Sequence, residues 1–179
     1  MKIDKLSIVL NKIFNKHGLN KFHSKICSDA LINAELVGAQ SHGLSRMKMY
    51  CERIKKKLIN PQPKIKLKKI SNSITHIDGD NSIGFVVADL GIKKVIENAK
   101  KTGIGIVGIK NSSHYGLSGY YAEQAVKKNL ICMIYTSAPP AVAPHGASKS
   151  LFGTNPICFG SPTGSNVPFI LDTSISKIN

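Results

Sequence analysis

A chain of 179 residues, 42% of them hydrophobic, is long and apolar enough to bury a core, which excludes intrinsic disorder and fits one domain or one and a fraction. Its formal net charge of +15 raises nucleic acid as a partner, but among 25 basic residues only Arg46 and Arg53 are arginine. Phosphate and base readers lean on the guanidinium fork, so the expectation is no nucleic-acid partner and only a weak attraction for small anions.

Ile3, Leu6, Leu10, Ile13, Phe14 and His17 recur at helical spacing behind Asp4, which can cap the first turn, and the helix should stop at Gly18. A second helical pattern starts near Asn20 and carries Phe22, Ile26, Ala30, Leu31 and Leu36 toward Gly38. A third holds Leu44, Met47, Tyr50 and Ile54 beyond Ser41-His42-Gly43. Asn60-Pro61-Gln62-Pro63 breaks the pattern, so a boundary is expected there, with a helical segment over 1–60 and an α/β domain over 61–179.

Residues 64–70 and 73–77 alternate as half-exposed strands. The helical period returns over 84–101, through Val87, Leu90, Val95 and Ala99, and Ile104 to Ile109 reads as a buried strand. Residues 120–128 continue as helix and 130–135 as another buried strand, while the proline- and glycine-rich remainder holds short strands near 157–159 and 168–171. The alternation predicts the α/β class, with a helical segment in front. Cys27, Cys51, Cys132 and Cys158 lie far apart with no C-x-x-C pair, which points to reduced, buried thiols and no metal site. The N-terminal apolar stretch is interrupted by Asn11 and Lys12, no cleavage site follows, and the apolar runs fall short of the ~20 residues of a membrane span. A cytoplasmic protein without a membrane partner is expected.

Gly103-Ile104-Gly105-Ile106-Val107-Gly108 satisfies the G-x-G-x-x-G pattern, but a Rossmann site needs those glycines between a strand and a following helix. Here they follow a helix and enter a strand, so they read as a helix stop and small strand residues.

Ser41-His42-Gly43 sits between two helical segments, and Arg46 follows His42 by four residues, placing imidazole and guanidinium on one helix face. Such a pair suits an anionic carbonyl compound: arginine clamps a carboxylate while histidine exchanges the proton that accompanies hydride transfer. A histidine near a helix start is equally a cap or surface residue. Ser41 as a nucleophile activated by His42 is a poor alternative, because sequence neighbours seldom face each other and no G-x-S-x-G elbow is present. Asn111-Ser112-Ser113-His114-Tyr115-Gly116 follows a strand and precedes a helix, where α/β proteins place ligands; an ordinary capped loop fits it too. Phe152-Gly153-Thr154-Asn155-Pro156 and Leu171-Asp172-Thr173-Ser174 read as small-residue turns that let backbone approach a ligand, or as plain loops.

Taken in order, Gly38-Ala39-Gln40-Ser41-His42-Gly43-Leu44-Ser45-Arg46, Asp78-Gly79-Asp80 with Gly84, Asn111 to Gly116 with Gly119-Tyr120-Tyr121-Ala122, Phe152 to Pro156, and Leu171-Asp172 resemble the malate/L-lactate dehydrogenase family over essentially the whole chain. The resemblance implies a non-Rossmann NAD(P)-binding fold and a homodimer. It implies hydride transfer between NAD or NADP and a small 2-oxoacid or 2-hydroxyacid. It makes His114 the proton donor and acceptor, His42 and Ser41 the other active-site pair, and Arg46 the partner of the substrate carboxylate. Ser137, Thr154, Asp172, Thr173 and Ser174 would then lie along the cofactor. Pro144-His145-Gly146-Ala147 departs from the aromatic-glycine-glycine pattern usual there. Family chains run to about twice this length, a size at which a second stretch of core is expected, so a truncated form, active or inert, is the expectation.

Overall fold

In the computed structural model, which describes residues 2–176, the N-terminal amphipathic pattern becomes helix α1 (Ile3–Lys16), with Leu10 and Phe14 turned inward. Asp4 lies inside the first turn rather than capping it, and no side chain caps this helix. The stop falls where expected, since Gly18 takes φ +94°, a conformation open mainly to glycine. Helix α2 (Lys21–Leu36) is capped by Asn20, whose Oδ1 accepts the His23 N–H at 2.8 Å. It buries Cys27, Ala30, Leu31 and Ala34, but Phe22 and Leu36, expected on its apolar face, are exposed.

The predicted third helix is shorter than its apolar pattern. Residues 40–42 and 44–46 form two separate 3₁₀ turns, and α3 (Met47–Lys55) begins only after them. Gly43, between the turns, breaks the helical path with ψ −137°. His42 and Arg46 therefore do not share a helix face, which corrects the expectation from their spacing.

Strands β1 (Lys66–Lys69), β2 (Ile74–Ser82) and β3 (Ile106–Ser112) form a sheet in the order β1-β2-β3, with helix α4 (Gly84–Thr102) connecting β2 to β3. β1 and β2 are antiparallel; β2 and β3 are parallel, as a helical crossover permits. α4 ends at Gly103, φ +81°, whose N–H returns to the Ala99 carbonyl. The glycine-rich 103–108 stretch is thus a helix stop running into β3. This strand is largely exposed rather than buried, with Ile106 and Ile109 at 49% and 41%.

Helix α5 (Ser118–Val126) precedes β4 (Cys132–Tyr135), β5 (Pro156–Ser161) and β6 (Phe169–Ser174), an antiparallel sheet in the order β4-β5-β6. β4 alternates between buried and exposed side chains instead of being buried throughout. β6 runs through Asp172-Thr173-Ser174, so the turn expected there is strand.

The chain divides into two compact units, one up to Tyr120 and the other from Tyr121 onward. Helices give way to strands at Asn60–Pro63, but β1 to β3 belong to the same compact unit as α1 to α4. The core of the first unit is built from Leu10, Phe14, Leu31, Tyr50, Ile59 and Phe85 among others; full burial of each such apolar side chain contributes about 1.5–3 kcal/mol. Cys27, Cys132 and Cys158 are buried free thiols, while Cys51 is half-buried. Among the described residues no helix is long and apolar enough to cross a membrane.

Candidate active site

The loop that follows β3 carries His114, and its course is set by contacts on both sides. Asn111 closes the strand at φ +51° and donates from Nδ2 to Asp78 Oδ1 at 2.9 Å. That acceptance, followed by the Asp80 N–H and Lys110, holds the Asp78 carboxyl below the usual carboxylate range. On the other side the Gly84 N–H, at the start of α4, donates to Ser113 Oγ at 3.1 Å. A Cβ on Gly84 would stand 2.1 Å from the Ser113 carbonyl oxygen and 2.5 Å from that of His114. Only glycine lets the helix start pass this close to the loop.

The two 3₁₀ turns bring a second set of side chains to the same place. Glu35 on α2 accepts the Leu44 N–H at 2.7 Å, and a Cβ on Gly43 would collide with that carboxylate. The turn is thus pinned to α2, with Ser41 Oγ and His42 Nδ1 hydrogen-bonded at 2.9 Å. Arg46 donates from Nε to the Ser41 carbonyl at 2.7 Å, which orients the guanidinium and leaves its terminal nitrogens for other acceptors.

The imidazoles of His42 and His114 stack, centroids 5.6 Å apart and planes 24° from parallel. Tyr50 on α3, fully buried and packed on Phe85 at 5.0 Å, places its hydroxyl 2.6 Å from His114 Nδ1. The Gly116 N–H donates to the same nitrogen at 3.3 Å. Burial, then the charges of His42, Arg46 and Arg53, hold the His114 pKa down to about 4, so the ring is neutral at neutral pH. Burial likewise raises the Tyr50 hydroxyl, which stays protonated. The structure therefore brings Ser41, His42, Arg46 and His114 into one cluster, through turns and a loop rather than one helix face. Tyr50 and Glu35 carry no motif. The legible signal for Tyr50 was its place on an apolar helix face, since a buried tyrosine must find a partner for its hydroxyl.

The other singled-out residues belong to the second unit. Ser137 follows β4, Thr154 precedes β5 and Ser174 ends β6, and antiparallel pairing gathers these positions at one end of the sheet. Thr136 N–H donates to the Pro156 carbonyl at 3.3 Å and Ile175 N–H to that of Thr154 at 3.1 Å. Gly153 and Asn155 lock this corner: a Cβ on Gly153 would meet the Ala138 carbonyl at 2.1 Å, and Asn155 Oδ1 accepts the Ala138 N–H at 3.0 Å. Asp172 lies opposite Cys158 and, after burial, helps push that thiol up to about 12; Thr173 points to the other face of the sheet.

The family model for malate/L-lactate dehydrogenase matches residues 1–179. The chain belongs to that family. The malate dehydrogenase of Pyrococcus abyssi (strain GE5 / Orsay) is 41% identical over 175 residues, which is 98% of this chain and 48% of the relative. The malate/(S)-sulfolactate dehydrogenase of Methanothermus fervidus is 42% identical over 152 residues, 85% of this chain and 45% of its own. The solved malate dehydrogenase of Pyrococcus horikoshii OT3 superposes with a TM-score of 0.94 at 39% identity, covering 99% of this chain and 51% of that one. This family member thus spans about half the length of the curated relatives it matches. Its fold is the α/β arrangement, helices first, that they share.

Proposed function

We propose that this chain supplies the proton-transfer and carboxylate-binding side of a dehydrogenase site that interconverts a small 2-oxoacid and its 2-hydroxyacid. One observation carries the reading: a neutral, half-buried His114 stacked on His42, with Arg46 bearing on the same ring. The terminal nitrogens of Arg46 form a fork that fits a carboxylate, and the carbonyl or hydroxyl carbon next to that carboxylate is then held beside the imidazoles. A neutral histidine accepts the hydroxyl proton in the oxidation and, once protonated, returns it in the reduction. Substrate charge assists the return, because an anion at Arg46 offsets part of the positive field that keeps His114 deprotonated.

NAD or NADP, when bound, donates or accepts the hydride; relatives are named for each of the two. The donor set at the end of the β4–β6 sheet suits such a ligand. Ser137, Thr154, Thr173 and Ser174 offer neutral hydroxyls of the kind that bind sugar hydroxyls and phosphate oxygens. Asp172 adds a carboxylate, an acceptor for sugar hydroxyls. The division into a helical segment over 1–60 and a cofactor domain over 61–179, the homodimer and the cytoplasmic location belong to the same proposal.

A second reading has its own observation in the uncovered apolar face of the β4–β6 sheet, where Met133 and Phe169 are 59% and 52% exposed. On that reading the chain alone is inert and at most binds a dinucleotide or pairs with a copy of itself. The deciding experiment is the initial rate of NADH and NADPH oxidation by the purified chain with a panel of 2-oxoacids, beside His114→Ala. A rate abolished by the substitution supports the first reading and names substrate and cofactor; no rate from a demonstrably folded chain supports the second.

A further inference from the structure

We propose that Tyr50 is the positioning residue of His114: its buried phenol holds the resting imidazole with Nδ1 as acceptor and Nε2 as the nitrogen that carries the proton to substrate. The proposal rests on His114 being the proton-transfer group, as read above, but its test does not use turnover.

The argument starts at Gly116. A backbone N–H can only donate, and this one is directed at His114 Nδ1 at 3.3 Å, a long contact that favours a lone pair on Nδ1 but is too weak to fix it alone. The Tyr50 hydroxyl, 2.6 Å from the same nitrogen, is then a second donor to it. With two donors on Nδ1, the proton of the neutral ring sits on Nε2. Tyr50 can hold this arrangement because it cannot move away: it is fully buried on α3 and wedged against Phe85.

The groups facing the pair are His42 and Arg46 from the two 3₁₀ turns, Arg53 from α3, and the neutral Cys27 thiol from α2. None is acidic. A carboxylate on Nδ1 would stabilise the imidazolium and leave the ring charged. A phenol adds no charge, and it can reverse its role by rotating one hydrogen. In the reduction, the imidazolium gives its Nε2 proton to the oxygen of the forming alcohol while Nδ1–H donates to the Tyr50 oxygen, and the ring is left neutral. In the oxidation Nε2 takes the hydroxyl proton only after the resting ring has passed its own proton from Nε2 to Nδ1, where the Tyr50 oxygen accepts it. The hydroxyl of Tyr50 serves both forms without displacement of any heavy atom.

The test is long-range ¹H–¹⁵N correlation on the full chain labelled at histidine, at pH 7, with His114 assigned by His114→Asn. In the unaltered chain His114 Nδ1 is expected at the unprotonated position and Nε2 at the protonated one. His17 is the internal control, because its Nδ1 faces the Ile13 carbonyl at 2.9 Å and must carry a proton. In Tyr50→Phe the His114 resonances should move to values averaged over both tautomers while His17 stays put. A protonated Nδ1 in the unaltered chain, or an unchanged His114 pattern in Tyr50→Phe, overturns the proposal. Should Tyr50→Phe unfold, the tautomer of the unaltered chain decides alone. Absence of NAD(P)H oxidation counts against the proposed function and leaves this result standing.

Discussion

Up to Tyr120 a closed core draws large side chains from several elements at once: Phe14 from α1, Leu31 from α2, Tyr50 from α3 and Phe85 from α4 are all fully buried. From Tyr121 onward a single helix faces a three-stranded sheet. Cys132 and Cys158 are buried on the face where Gly160 packs on Ala122 and Val126, while Met133, Tyr135, Phe169 and Leu171 lie exposed on the other. The contrast separates the two sets of proposed functional residues. The residues proposed for proton transfer sit on a closed core that holds them in place, whereas the residues proposed for the cofactor end a sheet covered on one side only. Preorganisation is therefore a property of the first unit, and the second carries an apolar surface suited to association.

The sharpest way to break this comparison is Leu31→Ala in the closed core. It should cost about 2–5 kcal/mol, the range for a large-to-small change in a core that cannot collapse around the gap. Urea unfolding measures it, and a loss under about 1 kcal/mol would mean that the first unit is not closed in this sense.

Acid should act through the same unit by a smaller amount. His114 titrates near 6.5 when unfolded and near 4 when folded, so between those values the unfolded chain binds the additional proton. Its contribution is present above pH 6.5 and is lost as the pH falls toward 4. The urea midpoint of the unaltered chain should therefore drop more between pH 7 and pH 5 than that of His114→Asn; equal drops would show that the ring is not held neutral by burial and its cationic neighbours.

The open sheet should respond least in stability. Met133→Ser combined with Leu171→Ser is expected to change unfolding free energy by no more than about 0.5 kcal/mol, as at exposed positions, while reducing self-association in sedimentation runs. A loss above about 2 kcal/mol would mean that the chain covers this face itself.

Much of the architecture was legible from local rules. The helix start near Asn20, Gly18 and Gly103 as helix stops, and the rejection of 103–108 as a dinucleotide turn all follow from backbone preferences that act within a few residues. The failures have a common origin. Phe22, Leu36 and the isoleucines of β3 were expected inside because they are apolar, but burial depends on whether another element covers a face, which periodicity does not report.

The candidate active-site residues divide along the same line. Short motifs marked Ser41, His42, Arg46 and His114, because spacing and residue chemistry survive in the linear chain. That His42 meets His114 across a gap of 72 positions, that Arg46 turns back to the Ser41 carbonyl, and that Tyr50 and Gly116 converge on one ring nitrogen were set by packing. Helix and turn propensities are local free energies and can be read along the chain. The pairing of distant side chains and the shift of a pKa arise from what surrounds a group in space, and only the assembled fold supplies those surroundings.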